Sequence, residues 1–112
     1  MNQGDVYWYR FRELDKQRSV LILTRTAAIA FLTSLTIAPI TTTIRGIPTE
    51  VVLTEADGLF ASCAVNADNL QAVPKAKFGG FITHLKPAHM REVRKAIQFA
   101  LGFDTIPSSG AI

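Results

Sequence analysis

The sequence predicts one small domain of the α+β class, mainly β, in which a curled sheet or small barrel of short strands is closed by a C-terminal helix. Three observations carry that reading. The chain has 112 residues, 48% hydrophobic and 19% charged, enough for one packed core and too apolar for a disordered chain. Short β-branched and aromatic runs recur between turn-forming Gly and Pro residues. One breaker-free stretch with helical spacing follows them near the C-terminus.

The first strand spans residues 6–11 (VYWYRF), after a Gly4-Asp5 turn. Alternation sets Tyr7, Tyr9 and Phe11 on one face and Val6, Trp8, Arg10 and Arg12 on the other. A short polar connection at 13–18 leads to SVLIL at 19–23, an uninterrupted apolar run of the kind buried on both faces of a sheet. Residues 26–32 (TAAIAFL) read as either one helical turn or an apolar loop. A third strand at 33–41 and a fourth at 49–54 flank TTIRGIP, whose Gly46 and Pro48 are turn formers. After a turn at 55–58, residues 63–73 read as a fifth strand, 75–80 as a basic, glycine-ended loop and 81–83 as a short sixth strand. Pro87 suits a first helical turn and Gly102 a C-terminal stop. Between them Met90, Val93, Ile97, Ala100 and Leu101 form one apolar stripe, with Arg91, Arg94 and Lys95 off it. The domain is expected to span 1–103, with 104–112 as a flexible tail.

Composition excludes several classes of chemistry. Cys63 is the only cysteine, so there is no intrachain disulfide framework, and His84 and His89 are too few for a His-rich metal cage. No glycine-rich phosphate loop, HExxH, paired CxxC or nucleophile elbow occurs. No metal or other cofactor is expected. Cys63 reads as a small buried hydrophobe, and the histidines as surface or packing groups. A net charge of +3 is a mild bias toward anionic partners. Residues 26–44 run 19 positions without a charge, but six are Thr, and the spacing of Leu35 and Ile37 fits a sheet interior better than a membrane span. The opening MNQGD has neither a basic n-region nor an apolar h-region, so the protein is expected to be soluble and cytoplasmic.

Two groups of residues suit phosphate and base recognition. Trp8 with Arg10 and Arg12 makes an aromatic and basic stripe fit for stacking on bases and holding phosphates; a half-exposed strand of an ordinary barrel looks the same. Arg18 stands immediately before the buried run, at the rim of a rigid element, and Thr41, Thr42 and Thr43 end the third strand. A guanidinium presents parallel donors matched to phosphate oxygens, and hydroxyls donate to them as well. A solvated rim charge and ordinary strand threonines are the plain alternative.

Taken in order, GDVYWYRF at 4–11, QRSVLIL at 17–23, IAPITTTIRGIPTEVVL at 37–53 and a closing helix ending in LGF at 101–103 resemble the MazF/PemK family of toxins. Those are ribosome-independent endoribonucleases of bacterial toxin–antitoxin pairs. The resemblance covers roughly residues 3–103. It implies an SH3-like barrel with a C-terminal helix, and metal-independent cleavage of single-stranded RNA at a short motif, by the adjacent 2′-hydroxyl or by water. It places the catalytic arginine at Arg18 and the catalytic threonine at Thr41, with Thr42 as fallback. Trp8, Arg10, Arg12, Arg25, Thr42 and Thr43 are the expected RNA contacts. It further implies a homodimer, which the uncharged 26–44 stretch and the helix stripe also favour, and a small antitoxin with an acidic tail. The chain carries Arg18-Ser19 where the family usually has Arg-Pro, and its first loop is the short RELDKQ, where Glu13 or Asp15 stands in for the usual loop acid. The competing readings are a non-catalytic RNA-binding relative and a CcdB-like gyrase poison. The latter depends on a Trp near the C-terminus, whereas the only Trp here is Trp8.

Overall fold

Seven strands form one antiparallel sheet in the computed structural model, which describes residues 1–12 and 16–105. They are β1 (Asp5–Tyr9), β2 (Arg18–Ile22), β3 (Ser34–Thr41), β4 (Glu50–Leu53), β5 (Cys63–Asn66), β6 (Gln71–Pro74) and β7 (Phe78–His84). Helix α1 (Thr26–Ile29) follows β2, and α2 (Pro87–Ala100) follows β7. The order across the sheet is β4-β5-β3-β2-β1-β7, with β6 also on β3. Strand β3 organises the curl: on one edge residues 34–37 pair with β6, while Ile40 and Thr41 pair with β5. The sheet stays open, with β4 and β7 outermost, and α2 packs over β4 and the turn at Ala67–Asn69. Among the described residues, no helix is long and apolar enough to cross a membrane.

Alternation along the strands produces two cores, one on each face. Val6, Leu21, Ala38, Val51, Leu53 and Val65 belong to the core that also takes Val93 and Ala96 of α2. Tyr9, Val20, Ile22, Leu35, Ile37 and Val73 form the other, joined by Ile29 of α1. Val20, Leu21 and Ile22 are all fully buried, as a strand covered on both faces requires. Tyr7, Tyr9 and Phe11 do share a face, against the second core.

Four readings of the sequence need correction. The stretch 63–73 is two strands, because the Asn66 side chain accepts the Asp68 N–H at 2.9 Å and the Thr49 hydroxyl donates to Asp68 Oδ2 at 2.7 Å, locking a 3-10 turn between them. The expected basic loop at 75–80 is only a turn at Lys75–Lys77, after which β7 begins and pairs with β1. Gly79 lies inside that strand, at a position where a Cβ would come within 2.7 Å of Gln17 Nε2 and 3.2 Å of Trp8 Cβ, which is why a glycine suits it. The first strand ends at Tyr9, short of residue 11. Helix α2 ends at Ala100, so Leu101 becomes its exposed cap, and Ala96 takes the buried place beside Val93. The 26–32 ambiguity resolves as the single helical turn α1. Asp104 and Thr105 belong to a 3-10 turn at Phe103–Thr105; the rest of the expected tail, 106–112, lies outside the described residues.

The turn at Glu55–Asp57 bears on stability. Gly58 closes it at φ 94°, and a Cβ there would lie 2.5 Å from Thr83 Oγ1, whose hydroxyl donates to the Asp57 carbonyl at 3.0 Å. Gly58→Ala combines left-handed strain with that clash, and is expected to lower stability by about 1–3 kcal/mol in urea unfolding.

Asp57 adds a pH dependence. The Thr54 N–H donates to its carboxylate at 2.9 Å and holds it below the ordinary carboxylate value; burial opposes this and the His89 imidazole, 2.7 Å away, assists. A carboxyl lowered by folding stabilises the native state above its unfolded value and loses that contribution as pH falls through the folded one. Asp57→Asn is therefore expected to unfold more easily than the wild type at about pH 7, with the gap shrinking toward about pH 3.

Candidate active site

Strands β2 and β3 each bring one candidate to the same rim. They pair through Val20↔Pro39, Leu21↔Ala38 and Ile22↔Ile37. The pairing ends at Val20↔Pro39, so Arg18, two residues before Val20, and Thr41, two residues after Pro39, both lie just past the same end of the β2–β3 ladder. Arg18 is the exposed first residue of β2, held on its other side by pairing with Tyr9 of β1. Thr41 is the half-buried last residue of β3, and Ala64 of β5 pairs with it from the far edge. The Thr41 hydroxyl oxygen accepts the Thr43 N–H at 3.1 Å, which orients it and leaves its own hydrogen to donate.

Arg18 and Thr41 border a cleft of about 470 Å³, together with Thr42 and Trp8. Arg10 borders a second cavity of about 420 Å³ with Lys77 and Phe78, and Gln17 lines both. Arg12, Arg25 and Thr43 border neither; Arg25 instead precedes the first turn of α1. Glu13 and Asp15 lie outside the described residues.

The cleft also holds residues that sequence reasoning missed. Arg45 lines it, carried by the β3–β4 connection. Glu50 Oε1 accepts the N–H of Arg45 at 2.9 Å and of Gly46 at 3.0 Å, so the first residue of β4 ties down the loop that presents the arginine. The available signal was the R-G-x-P-x-E spacing, where a carboxylate follows a glycine turn closely enough to collect its N–H groups. Phe60 lines the cleft too, and no local pattern marked it.

The cleft is poor in acid–base groups. Glu50 is its one carboxylate and no histidine lines it, among the described residues. Cys63 borders it but is buried, and burial pushes its thiol up, away from a nucleophilic thiolate. His84 Nδ1 sits 2.7 Å from the buried Asp5, and His89 bridges Asp57 at 2.7 Å and Glu92 at 3.3 Å. What remains is two guanidinium groups, hydroxyls and an aromatic wall: a surface for holding a phosphate and concentrating positive charge on it.

A curled antiparallel sheet with a C-terminal helix is a fold that this chain shares with solved toxins of the MazF type. The chain superposes on the Mycobacterium tuberculosis toxin MazF-mt6 with a TM-score of 0.80 at 38% identity, covering 88% of this chain and 96% of that one. It superposes on an endoribonuclease from a mycobacterial species, solved in complex with its cognate antitoxin, with a TM-score of 0.81 at 29% identity, over 91% of this chain and 95% of that one. Endoribonuclease MazF3 of M. tuberculosis is 40% identical over 94 residues, 84% of this chain and 91% of that protein. The model of the PemK-like, MazF-like toxins of type II toxin–antitoxin systems matches residues 2–101, and the chain belongs to that family.

Proposed function

We propose that Arg18 and Thr41 are the catalytic pair of an RNA-cleaving toxin, the working unit being the domain at 1–103. The chain is the toxin of a type II toxin–antitoxin system and an endoribonuclease. The observation that supports the pair best is that both residues, each just past the same end of the β2–β3 ladder, line one cleft.

In this reading Arg18 grips the non-bridging oxygens of the scissile phosphate, and the Thr41 hydroxyl donates to the same phosphate from the neighbouring strand. The ribose 2′-oxygen forms a bond to phosphorus while the bond to the 5′-oxygen breaks, and the 2′-hydroxyl proton is transferred overall to the departing oxygen. The products are a 2′,3′-cyclic phosphate and a 5′-hydroxyl. An arginine stays protonated, so Arg18 stabilises charge and does not relay the proton. Trp8 and Thr42 contact the RNA within the cleft; Arg10, with Lys77, carries its backbone onward. Arg12, Arg25 and Thr43 serve as outer contacts. The reaction proceeds without a metal.

The purified protein is expected to cut mixed-sequence single-stranded RNA in excess chelator, and a 2′-deoxy substitution at the scissile nucleotide should block the cut. A requirement for added divalent cation would overturn metal independence, and cleavage of the deoxy substrate would reassign the nucleophile to water. Thr41→Ala is expected to slow single-turnover cleavage about tenfold or more, as loss of one donor to developing charge. That loss should be smaller than for Arg18→Ala and larger than for Thr43→Ala.

The toxin acts in the cytoplasm as a homodimer, a state supported by the apolar surface one copy leaves in water, with Phe31 87% exposed and Phe81 56% exposed. A sedimentation mass near the monomer value of 12.3 kDa at micromolar protein would contradict this. Its antitoxin covers the Arg18 rim with an acidic segment, a geometry supported by the arginines at 10, 18 and 45.

A further inference from the structure

Trp8 and Phe60 form a structure that phosphate chemistry does not require. Phe60 lies between the Glu55–Asp57 turn and β5 with its side chain 78% exposed, an unusual position for a large apolar ring. Its ring stacks on the Trp8 indole, with centroids 5.6 Å apart and planes 24° from parallel. Trp8 is itself seated on the glycine pair of β7. A Cβ at Gly79 would lie 3.2 Å from Trp8 Cβ, and one at Gly80 would lie 4.0 Å from Trp8 Cδ1. The indole thus passes beside Gly80, which puts no side chain against it, while the Gln17 amide fills the space over Gly79; Phe60 lies over the indole and stays largely in solvent. Both rings line the cleft that holds Arg18 and Thr41.

We propose that the Trp8–Phe60 stack is a base-seating platform, on which one unpaired base of the RNA stacks while the phosphate chain runs past Arg18. This rests on the RNA-cleaving reading and adds to it the site that holds a base. A flat aromatic face beside cations and hydroxyls complements a nucleotide in both of its parts, ring and phosphate. Because every base has a π-face, the platform supplies affinity more than base identity, and purines, with more area to overlap, stack on it more strongly than pyrimidines. The cations around it favour a nucleic acid over an aromatic side chain from a protein partner.

Trp8 is the only tryptophan, so its fluorescence reports on the platform directly. The probe is a mixed-sequence oligonucleotide with 2′-O-methyl riboses, which has no 2′-hydroxyl to attack, compared with the same oligonucleotide made abasic. The intact probe is expected to quench Trp8, and the abasic one to bind about tenfold more weakly with little quenching. Phe60→Leu keeps apolar bulk and loses the ring. It should weaken the intact probe about tenfold, leave the abasic probe unchanged and raise KM for RNA more than it lowers kcat, and Phe60→Tyr should restore all three.

Equal binding of the intact probe to the wild type and to folded Phe60→Leu would overturn the proposal. So would an equal loss for both probes, or a changed sedimentation mass in Phe60→Leu, which would make this ring a contact between copies. The two readings fail separately. RNA cleaved without Trp8 quenching or Phe60 dependence sinks the platform alone. Base-dependent quenching by a protein that cuts no RNA sinks the cleavage reading and keeps the platform.

Discussion

Arg18→Ala is expected to abolish detectable RNA cleavage while leaving the fold intact. The side chain is exposed at the first position of β2, so removing it takes nothing from either core. Its backbone, in contrast, is held by pairing with Tyr9 of β1, two residues before the β2–β3 ladder begins at Val20, which gives the guanidinium a rigid base. One preorganised donor to transition-state charge is worth about 3 kcal/mol, a hundredfold or more in rate, and a bidentate guanidinium supplies two. Arg18→Lys should be nearly as damaging, because an ammonium keeps the charge and loses the planar fork. Single-turnover cleavage, with thermal unfolding run alongside, checks both variants. Full activity in a folded Arg18→Ala protein would move the chemistry to another residue, with Arg45 of the same cleft the first to test.

Tyr9→Ala is expected to produce the largest loss of stability. Tyr9 is 1% exposed at the end of β1, edge-on to Phe11 at 4.8 Å and to Phe78 at 5.0 Å between ring centroids. Its hydroxyl donates to the Pro74 carbonyl at 3.3 Å, which ties β1 to the end of β6. Truncating so buried an aromatic costs about 3–5 kcal/mol, a large part of the roughly 5–15 kcal/mol that holds a domain together. Tyr9→Phe should lose only about 1 kcal/mol, the net worth of one hydrogen bond. Urea unfolding at neutral pH separates the two; a Tyr9→Ala protein within about 1 kcal/mol of the wild type would mean that the second core collapses around the gap. Because Tyr9 pairs with Arg18, any Tyr9→Ala protein that still folds should also cleave more slowly.

Much of this was legible along the chain, because burial repeats with a local period. The unbroken SVLIL run marked a strand covered on both faces, and Val20, Leu21 and Ile22 are fully buried. Alternation assigned Tyr7, Tyr9 and Phe11 to one face, where they meet the second core. Pro87 and Gly102 bracketed α2 closely, since both act through their own backbone torsions. Residues 63–73 were misread because the Asn66–Asp68 turn interrupts an otherwise strand-like run, and its lock includes Thr49, far away in sequence. Gly79 and Gly80 looked like a loop because sequence cannot show that Gln17 and Trp8 crowd the Cβ position of Gly79 or that both glycines sit in a strand paired with β1.

The same division runs through the cleft. Residue type and strand position, which the sequence carries by itself, nominated Arg18 and the run Thr41, Thr42 and Thr43. The resemblance to the family chose Thr41 among them, and the apolar runs marked which strands have two buried faces. Only the tertiary structure decided that Arg18 and Thr41 border one cleft, that Glu50 anchors the loop bearing Arg45, and that Phe60 lies on Trp8. The reason is physical. Facing and capping are set by neighbours a few residues apart, whereas a cleft forms where strand ends meet, and which ends meet depends on hydrogen-bond registers and packing between segments that the chain keeps far from one another.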